Sequence, residues 1–264
     1  MLAKIAKVIS DIKQQKPLIL NLTNFVTMDF VANCLLALGA APIMSVCKEE
    51  MAELISLCSV LYINIGTLDA AFIALINQAV KLAVHFNKPL LLDPVGAGAT
   101  KIRTQIAKDI APCSTIIRGN ASEILALGAQ AHLTKGVEST HTTDDAKEIA
   151  SVLAYKYKTT VMVSGAIDFI TDQTNSSQVA YGSALMQKVT GMGCAMTAII
   201  AAFKAVLADS FEACVAGAHY FDLCGEIASQ NNPHPGSFRS AFIDQLHIAD
   251  FALMKKIYDQ RAKS

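Results

Sequence analysis

Three short stretches of the chain put reactive or charge-binding groups where a strand gives way to a helix. In VTGMGCAM, residues 189–196, two glycines one residue apart precede a thiol, Cys194, and the apolar run AMTAIIAAFKAVLA begins directly behind it. Gly191 and Gly193 allow close backbone approach and positive φ. A helix that starts near Gly193 or Cys194 offers unpaired N–H groups and the positive end of its dipole, an anion hole suited to a phosphoryl group in transfer. Cys194 on the first turn would feel the same field, which lowers a thiol pKa. There it can accept a proton from a substrate hydroxyl or simply position one. Phosphoryl transfer through a loose transition state asks little of a base and much of electrostatic positioning, so a thiol is tolerated at such a place.

The other two stretches carry the charge. LLLDPVGAGAT sends Asp93 out of an apolar strand into a proline-glycine turn, where it either caps the turn or faces a metal or phosphate. RGNASE, residues 118–123, follows another apolar strand and opens a helix. Asn120 or Ser122 can cap that helix, with Glu123 near its positive end. Two readings stand here: a capping arrangement with a helix-dipole carboxylate, or Arg118 on a phosphate with Glu123 ordering magnesium through water. GAGAT lacks the full G-x-G-x-x-G of a dinucleotide site.

These residues need a scaffold that brings strand ends together. PLILNL, APIMSV, VLYINIG, PLLLDPVG, STIIRGN and TTVMVSG are strand-length apolar runs ending in polar or glycine punctuation. Helical periodicity fills the intervals at residues 28–38, 49–57, 68–86, 104–110, 121–127 and 143–157. Strands alternating with helices predict βαβ crossovers and an α/β fold with a mainly parallel sheet, helices on both faces. DFITDQ, SQVAYGS and LMQKV predict a short antiparallel edge, and helices are expected over 193–207, 211–230 and 238–258. NNPHPGS is a loop too short to link domains, and residues 1–264 read as one domain. In such a sheet ligands gather outside the carboxyl ends of the strands. Those ends hold Asn24, Met44, Gly66, Asp93, Arg118 and Ser164.

Composition narrows the class. Apolar residues make up 53% of the 264 and charged ones 17%, so much apolar surface must lie inside or between subunits. Lys plus Arg and Asp plus Glu number 22 each without a basic cluster, which argues against nucleic acid. The apolar run at 195–208 is interrupted by Lys204 and falls short of the roughly 20 residues a bilayer requires. The N-terminal stretch lacks a signal-peptide core, and the expected location is the cytoplasm. Seven cysteines form no C-x-x-C pair, which suggests neither a disulfide framework nor a zinc site.

In order and spacing, TNFVTMDFVANCLLALGAAPIM, NIGTL, LDPVGAGAT, RGNASEI, VSGAIDFI and VTGMGCAMTAIIAAF resemble hydroxyethylthiazole kinases, the thiamin-salvage branch of the ribokinase-like fold. The likeness covers nearly the whole chain. Its T-G-x-G-C segment is the most telling part, since most ribokinase-like kinases carry aspartate where this branch has cysteine. The resemblance implies transfer of the ATP γ-phosphoryl group to 4-methyl-5-(2-hydroxyethyl)thiazole with Mg2+, in a homotrimer with sites at subunit boundaries. It implies substrate contacts at Met44, Gly191, Asn24 and Gly66, and ATP contacts at Arg118 and Ser164. It implies a metal-ordering pair, Asp93 and Glu123, and places Cys194 beside the reacting hydroxyl. Met192 departs from the small polar residue often found at the x of that segment. Three alternatives stand beside this reading: a hydroxymethylpyrimidine kinase, which would ordinarily carry aspartate at position 194; a hydrolase or transferase pairing Cys194 with His219 or His234; and a sensor without turnover. Met196 and Phe203 are expected in the core.

Overall fold

The computed structural model describes residues 1–129 and 143–261. Eight strands form one sheet: β1 (Leu18–Leu22), β2 (Ala41–Met44), β3 (Val60–Asn64), β4 (Leu90–Asp93), β5 (Ile116–Asn120), β6 (Thr160–Ser164), β7 (Asp168–Thr171) and β8 (Ser176–Val179). Their spatial order is β2-β1-β3-β4-β5-β6-β7-β8. The first six run parallel, and β7 and β8 add the antiparallel edge.

The order reverses once. From β1 the chain moves outward through α2 (Met28–Leu38) to β2, then returns through α3 (Met51–Leu57) past β1 to β3. From there α4 (Ala70–His85), α5 (Lys101–Ile110), α6 (Ala121–Gly128) and α7 (Thr143–Tyr157) carry it steadily to β6. Crossovers of one hand that advance in opposite directions cover opposite faces. Accordingly α2 packs in one apolar core, while α3 to α7 build the other. The crevice between β1 and β3 is the switch point at which such sheets bind ligands.

Side-chain alternation divides each strand between the two cores. Ile19, Val60, Tyr62, Leu91, Ile116 and Met162 face the α2 core, and Leu20, Leu61, Ile63, Leu92, Ile117 and Val161 the other. Register keeps paired residues on one face: Asn64 lies opposite Asp93, and Arg118 opposite Met162. Asn64, Asp93, Arg118 and Ser164 therefore leave their strand ends on a single face, the one covered by the C-terminal helices. Those are α8 (Met192–Val206), α9 (Ser210–Asn231), α10 (Pro235–Ile248) and α11 (Phe251–Arg261), joined by α1 (Leu2–Gln15).

Several boundaries differ from expectation. LMQKV is not a strand but a 3-10 turn, Ala184–Lys188, because the Ser183 hydroxyl accepts from Leu185 N–H and Met186 turns down onto Gly225 of α9. The C-terminal helical run starts at Pro235, a favoured first position, and breaks at Ala249, whose left-handed φ of 51° ends α10. α5 begins at Lys101 because Thr100 caps it. Met196 and Phe203 are buried as expected. Phe203 has no solvent exposure and packs on Tyr220 of α9 with ring centroids 5.9 Å apart. Phe203→Ala should lower the unfolding free energy by about 3–5 kcal/mol, visible as a lower urea midpoint with an unchanged slope.

Candidate active site

The mouth of α8 is built by a left-handed residue. Gly191 takes φ 91° as N-cap, and the first intrahelical bond runs from Ala195 N–H to Gly191 O at 2.8 Å. The N–H groups of Met192, Gly193 and Cys194 are left without intrahelical acceptors. A side chain at Gly191 would meet Thr27 and Phe30 at 3.0–3.2 Å, and one at Gly193 would sit 2.5 Å from Arg118 Nη1. Glycine at 193 thus lets a guanidinium lie directly against the helix mouth, at the spot expected to receive an anion.

Four of the expected residues converge there. Arg118 leaves β5 with Nη2 2.6 Å from Ser164 Oγ and Nη1 4.0 Å from Asp93 Oδ1. Its Nε is buried without a partner, as is Asp93 Oδ1. Burial opposes the charge on Arg118, but Asp93, Asp168 and Glu123 hold its pKa above the ordinary arginine value. Asp93 is 1% exposed, and its Oδ2 takes three donors: Asn64 Nδ2 at 2.8 Å, Tyr62 Oη at 3.2 Å and Thr197 Oγ1 at 3.4 Å. Burial, opposed by Arg118 and these donors, raises the Asp93 carboxyl to about 6.

Cys194 is the third residue of α8 and is nearly buried. Its Sγ lies 3.2 Å from Asn64 Nδ2 and 3.5 Å from Asn24 Nδ2. The thiol pKa is raised, contrary to the expectation from the helix field. Burial is the largest cause and the neighbouring Asp93 charge adds to it, outweighing the nearby Thr27 hydroxyl, the hydrogen bond from Asn24 and the charge of Arg118. Position on a first turn indicates the direction of a field, but not the loss of water around the sulfur.

On the β1 side of the thiol, Asn24 donates to Asn64 Oδ1 at 2.9 Å and accepts from Thr27 N–H at 3.1 Å. Gly66 N–H donates to Asn64 Oδ1 at 2.9 Å, and the Gly66 carbonyl accepts from Arg103 Nη2 at 2.9 Å. Met44 stands farther out, partly buried at the end of the edge strand beside Asn21. Met192 is buried in the apolar core and also lines the adjoining cavity, so its side chain supplies no polar contact.

Glu123 has the structural role that its surroundings allowed. Its Oε2 accepts from Asn120 N–H at 2.8 Å while Asn120 Oδ1 accepts from Glu123 N–H at 3.0 Å, a capping box in which Asn120, not Ser122, is the cap. The second oxygen, Oε1, accepts from Gly96 N–H at 2.9 Å and pins the turn that follows Asp93. Arg103 braces that turn from the other side through the Val95 carbonyl at 3.0 Å.

A cavity of about 580 Å3 opens from the helix mouth, bounded by Arg118, Ser164, Gly193, Asp168, Asp222 and Tyr181. Asp168 and Asp222 are both buried and hydrogen bonded to each other. Burial raises both carboxyls, and the Asp168 charge raises Asp222 further. No imidazole is hydrogen bonded to Cys194 among the described residues: His219 gives a ring nitrogen to Val215 O and stacks near Tyr181, and His234 caps α10.

Asn64 stands among the polar strand ends that the sequence marks, whereas Tyr62, Thr197, Arg103, Asp168 and Asp222 lie outside those expectations. Asn64 and Tyr62 had a usable signal, two polar groups with strand spacing at the end of VLYIN. Arg103 had none.

The fold is shared with known kinases. Bacillus subtilis pyridoxal kinase, in an ADP complex, superposes with a TM-score of 0.61 over 79% of this chain and 91% of that one, at 15% identity, a likeness of fold alone. With the mainly parallel sheet and its antiparallel edge, this places the fold in the ribokinase-like class. The narrower assignment follows from closer relatives. Residues 9–250 match the model of the hydroxyethylthiazole kinase family. A hydroxyethylthiazole kinase of Chlamydia caviae is 48% identical over 262 residues, 98% of this chain and 100% of that protein. One from Leptospira biflexa is 43% identical over 89% of each. The structure of the hydroxyethylthiazole kinase protein of Pyrococcus horikoshii superposes with a TM-score of 0.88 at 35% identity, covering 96% of both chains. The chain belongs to the hydroxyethylthiazole kinase family.

The raised Asp93 carboxyl gives the site a pH signature. The folded group binds its proton more tightly than the unfolded one, so it favours folding at low pH and loses that contribution as pH rises through about 6. In buffer free of metal and nucleotide, the melting temperature of the wild type minus that of Asp93→Asn should widen as pH falls from about 7.5 to about 5. A flat or shrinking difference would mean that Asp93 is not held as described.

Proposed function

We propose that the chain transfers the γ-phosphoryl group of ATP to the primary alcohol of 4-methyl-5-(2-hydroxyethyl)thiazole, the salvage step that returns the thiazole half of thiamin to its phosphorylated form. The observation that carries this reading is the position of Cys194. It lies within the free N–H groups of α8, with Asn24 and Asn64 on one side and Asp93 beside Arg118 on the other.

The cavity that begins at Arg118 and Ser164 takes the nucleotide, with its phosphates directed to the α8 mouth. The thiazole alcohol occupies the opposite side, between Asn24, Gly66, Gly191 and Met44, and presents its hydroxyl at Cys194. As the phosphoryl group passes to the alcohol oxygen, the N–H groups of Gly193 and Cys194 and the Arg118 guanidinium meet the negative charge on its oxygens. A thiol whose pKa is raised stays protonated near neutrality, so Cys194 serves as a small polarisable neighbour that orients the hydroxyl. The proton of that hydroxyl leaves late, toward the Asp93 carboxylate or the transferred phosphate.

Magnesium fits through water rather than by direct chelation. Asp93 offers a buried Oδ1 that accepts no hydrogen bond, and each oxygen of Glu123 already accepts one backbone N–H, which leaves its other lone pairs for a hydrated ion. Among the described residues no group of three acidic, His or Cys side chains is gathered to hold an ion alone. When bound with ATP, the ion supplies charge neutralisation at the phosphate oxygens.

Exposed Phe25, Val26 and Val46 flank Asn24 and Met44 on the loops after β1 and β2. That apolar rim supports a homotrimer in which a neighbouring subunit closes the alcohol pocket. A cytoplasmic location suits the seven free thiols, and no described helix is long and apolar enough to cross a membrane.

The direct test is thiazole-dependent ADP release, with the phosphorylated alcohol identified by mass spectrometry; ATP consumption indifferent to the alcohol would refute the assignment. Cys194→Ala should depress kcat well beyond its effect on ATP affinity, and an unchanged kcat would remove the thiol from the mechanism. Arg118→Ala should weaken ATP binding by about 1.5–3 kcal/mol, the range for a charged hydrogen bond, and leave thiazole binding less affected. Calorimetry that found the reverse order would overturn the placement of the nucleotide.

A further inference from the structure

Asn64 closes β3 with no solvent exposure and with both ends of its amide engaged. Oδ1 accepts from Gly66 N–H and from Asn24 Nδ2, each at 2.9 Å. Nδ2 faces Asp93 Oδ2 at 2.8 Å, Tyr62 Oη at 3.0 Å and Cys194 Sγ at 3.2 Å. The amide cannot be turned over, because a backbone N–H only donates and a carboxylate only accepts. Its two hydrogens stand among three acceptors, at the point where the thiol, the carboxylate and the phenol meet.

The arrangement has a consequence for each neighbour. Asn64, Tyr62 and Thr197 all approach the same oxygen of Asp93, so Oδ1 is left buried, without a hydrogen bond, on the side toward Arg118. Cys194 Sγ is bracketed by two carboxamides, Asn64 and Asn24, which are themselves hydrogen bonded. A carboxylate at position 64 would set like charge against Asp93, and an aliphatic side chain would strand the Gly66 N–H. Only a carboxamide of this length supplies an acceptor to the alcohol side and a donor to the phosphate side.

We propose that Asn64 is a positioning residue for the phosphoryl transfer: it fixes the offset between Cys194 and Asp93 and turns Asp93 so that Oδ1 is the oxygen presented to the nucleotide and its ion. The inference rests on the kinase reading above and goes beyond it.

Two variants test it. Asn64→Asp keeps the shape and the acceptor toward Gly66 but removes the donor; Asn64→Ala removes both without adding charge. Calorimetry with the thiazole alcohol and with a non-hydrolysable ATP analogue counts competent sites and gives both affinities, and turnover is normalised to that count. A misplaced reacting geometry should cut kcat per competent site by about 50-fold or more in Asn64→Asp and about tenfold or more in Asn64→Ala, with both affinities within about threefold of wild type. The proposal is overturned by kcat per competent site within about threefold of wild type, or by a loss mirrored fully in alcohol affinity. It is also overturned if neither variant retains competent sites, since the role is then structural. Wild-type protein that leaves the alcohol unphosphorylated defeats the kinase reading itself, and that result is in hand before any variant is made.

Discussion

A carboxylate at the end of a buried parallel strand must be given partners, because removing its charge from water is costly unless hydrogen bonds and an opposite charge replace the lost hydration. Asp93 meets that demand with three donors on one oxygen and Arg118 near the other. The neighbouring elements are arranged around this pairing. Tyr62 and Asn64 come from β3, Thr197 and the glycine turn from α8, and Arg118 from β5, and all of them face the same side of the sheet. The compensation is incomplete, since Asp93 Oδ1 and Arg118 Nε remain buried without a hydrogen bond. Groups so held are ready to receive a polar ligand, which supports the proposed binding of phosphate at the helix mouth.

The sheet's topology explains why these residues meet. The chain reverses direction between β1 and β3, so the loops after these strands diverge and leave a crevice over their carboxyl ends. Asn24 and Gly66 enter it from the two diverging loops, and the α8 mouth closes it from above. The cavity lies on the other flank of Arg118, toward the antiparallel edge, where Asp168 and Asp222 are buried together. Arg118 thus stands between two spaces, with acidic groups on both sides fixing its charge.

Much of this was legible in the sequence because it was local. The alternation of apolar runs with amphipathic stretches gave the α/β class, and the reversal of residue type at each strand end marked Asp93, Arg118 and Ser164. The glycine pair before an apolar run marked the start of α8 to within a residue or two. What escaped depends on distant contacts. LMQKV looks like a strand until Met186 finds the space above Gly225. The helix break at Ala249 has no glycine or proline to announce it. The thiol of Cys194 follows desolvation by its surroundings rather than the field of its own helix. Arg103 braces two loops that are remote in sequence, and Asn64 acquires its importance only when β1, β3, β4 and α8 are brought together.

In the proposed reaction, phosphoryl transfer takes place at the N–H groups of Gly193 and Cys194, between Arg118 and the pair Asn24 and Asn64. A crystal structure with the thiazole alcohol and a non-hydrolysable ATP analogue bound together measures it directly. The account predicts γ-phosphate oxygens within hydrogen-bonding distance of those N–H groups and of Arg118, with the alcohol oxygen beside Cys194 Sγ and in line with the bridging atom. A nucleotide seated away from the α8 mouth, or an alcohol on the far side of Arg118, would contradict it.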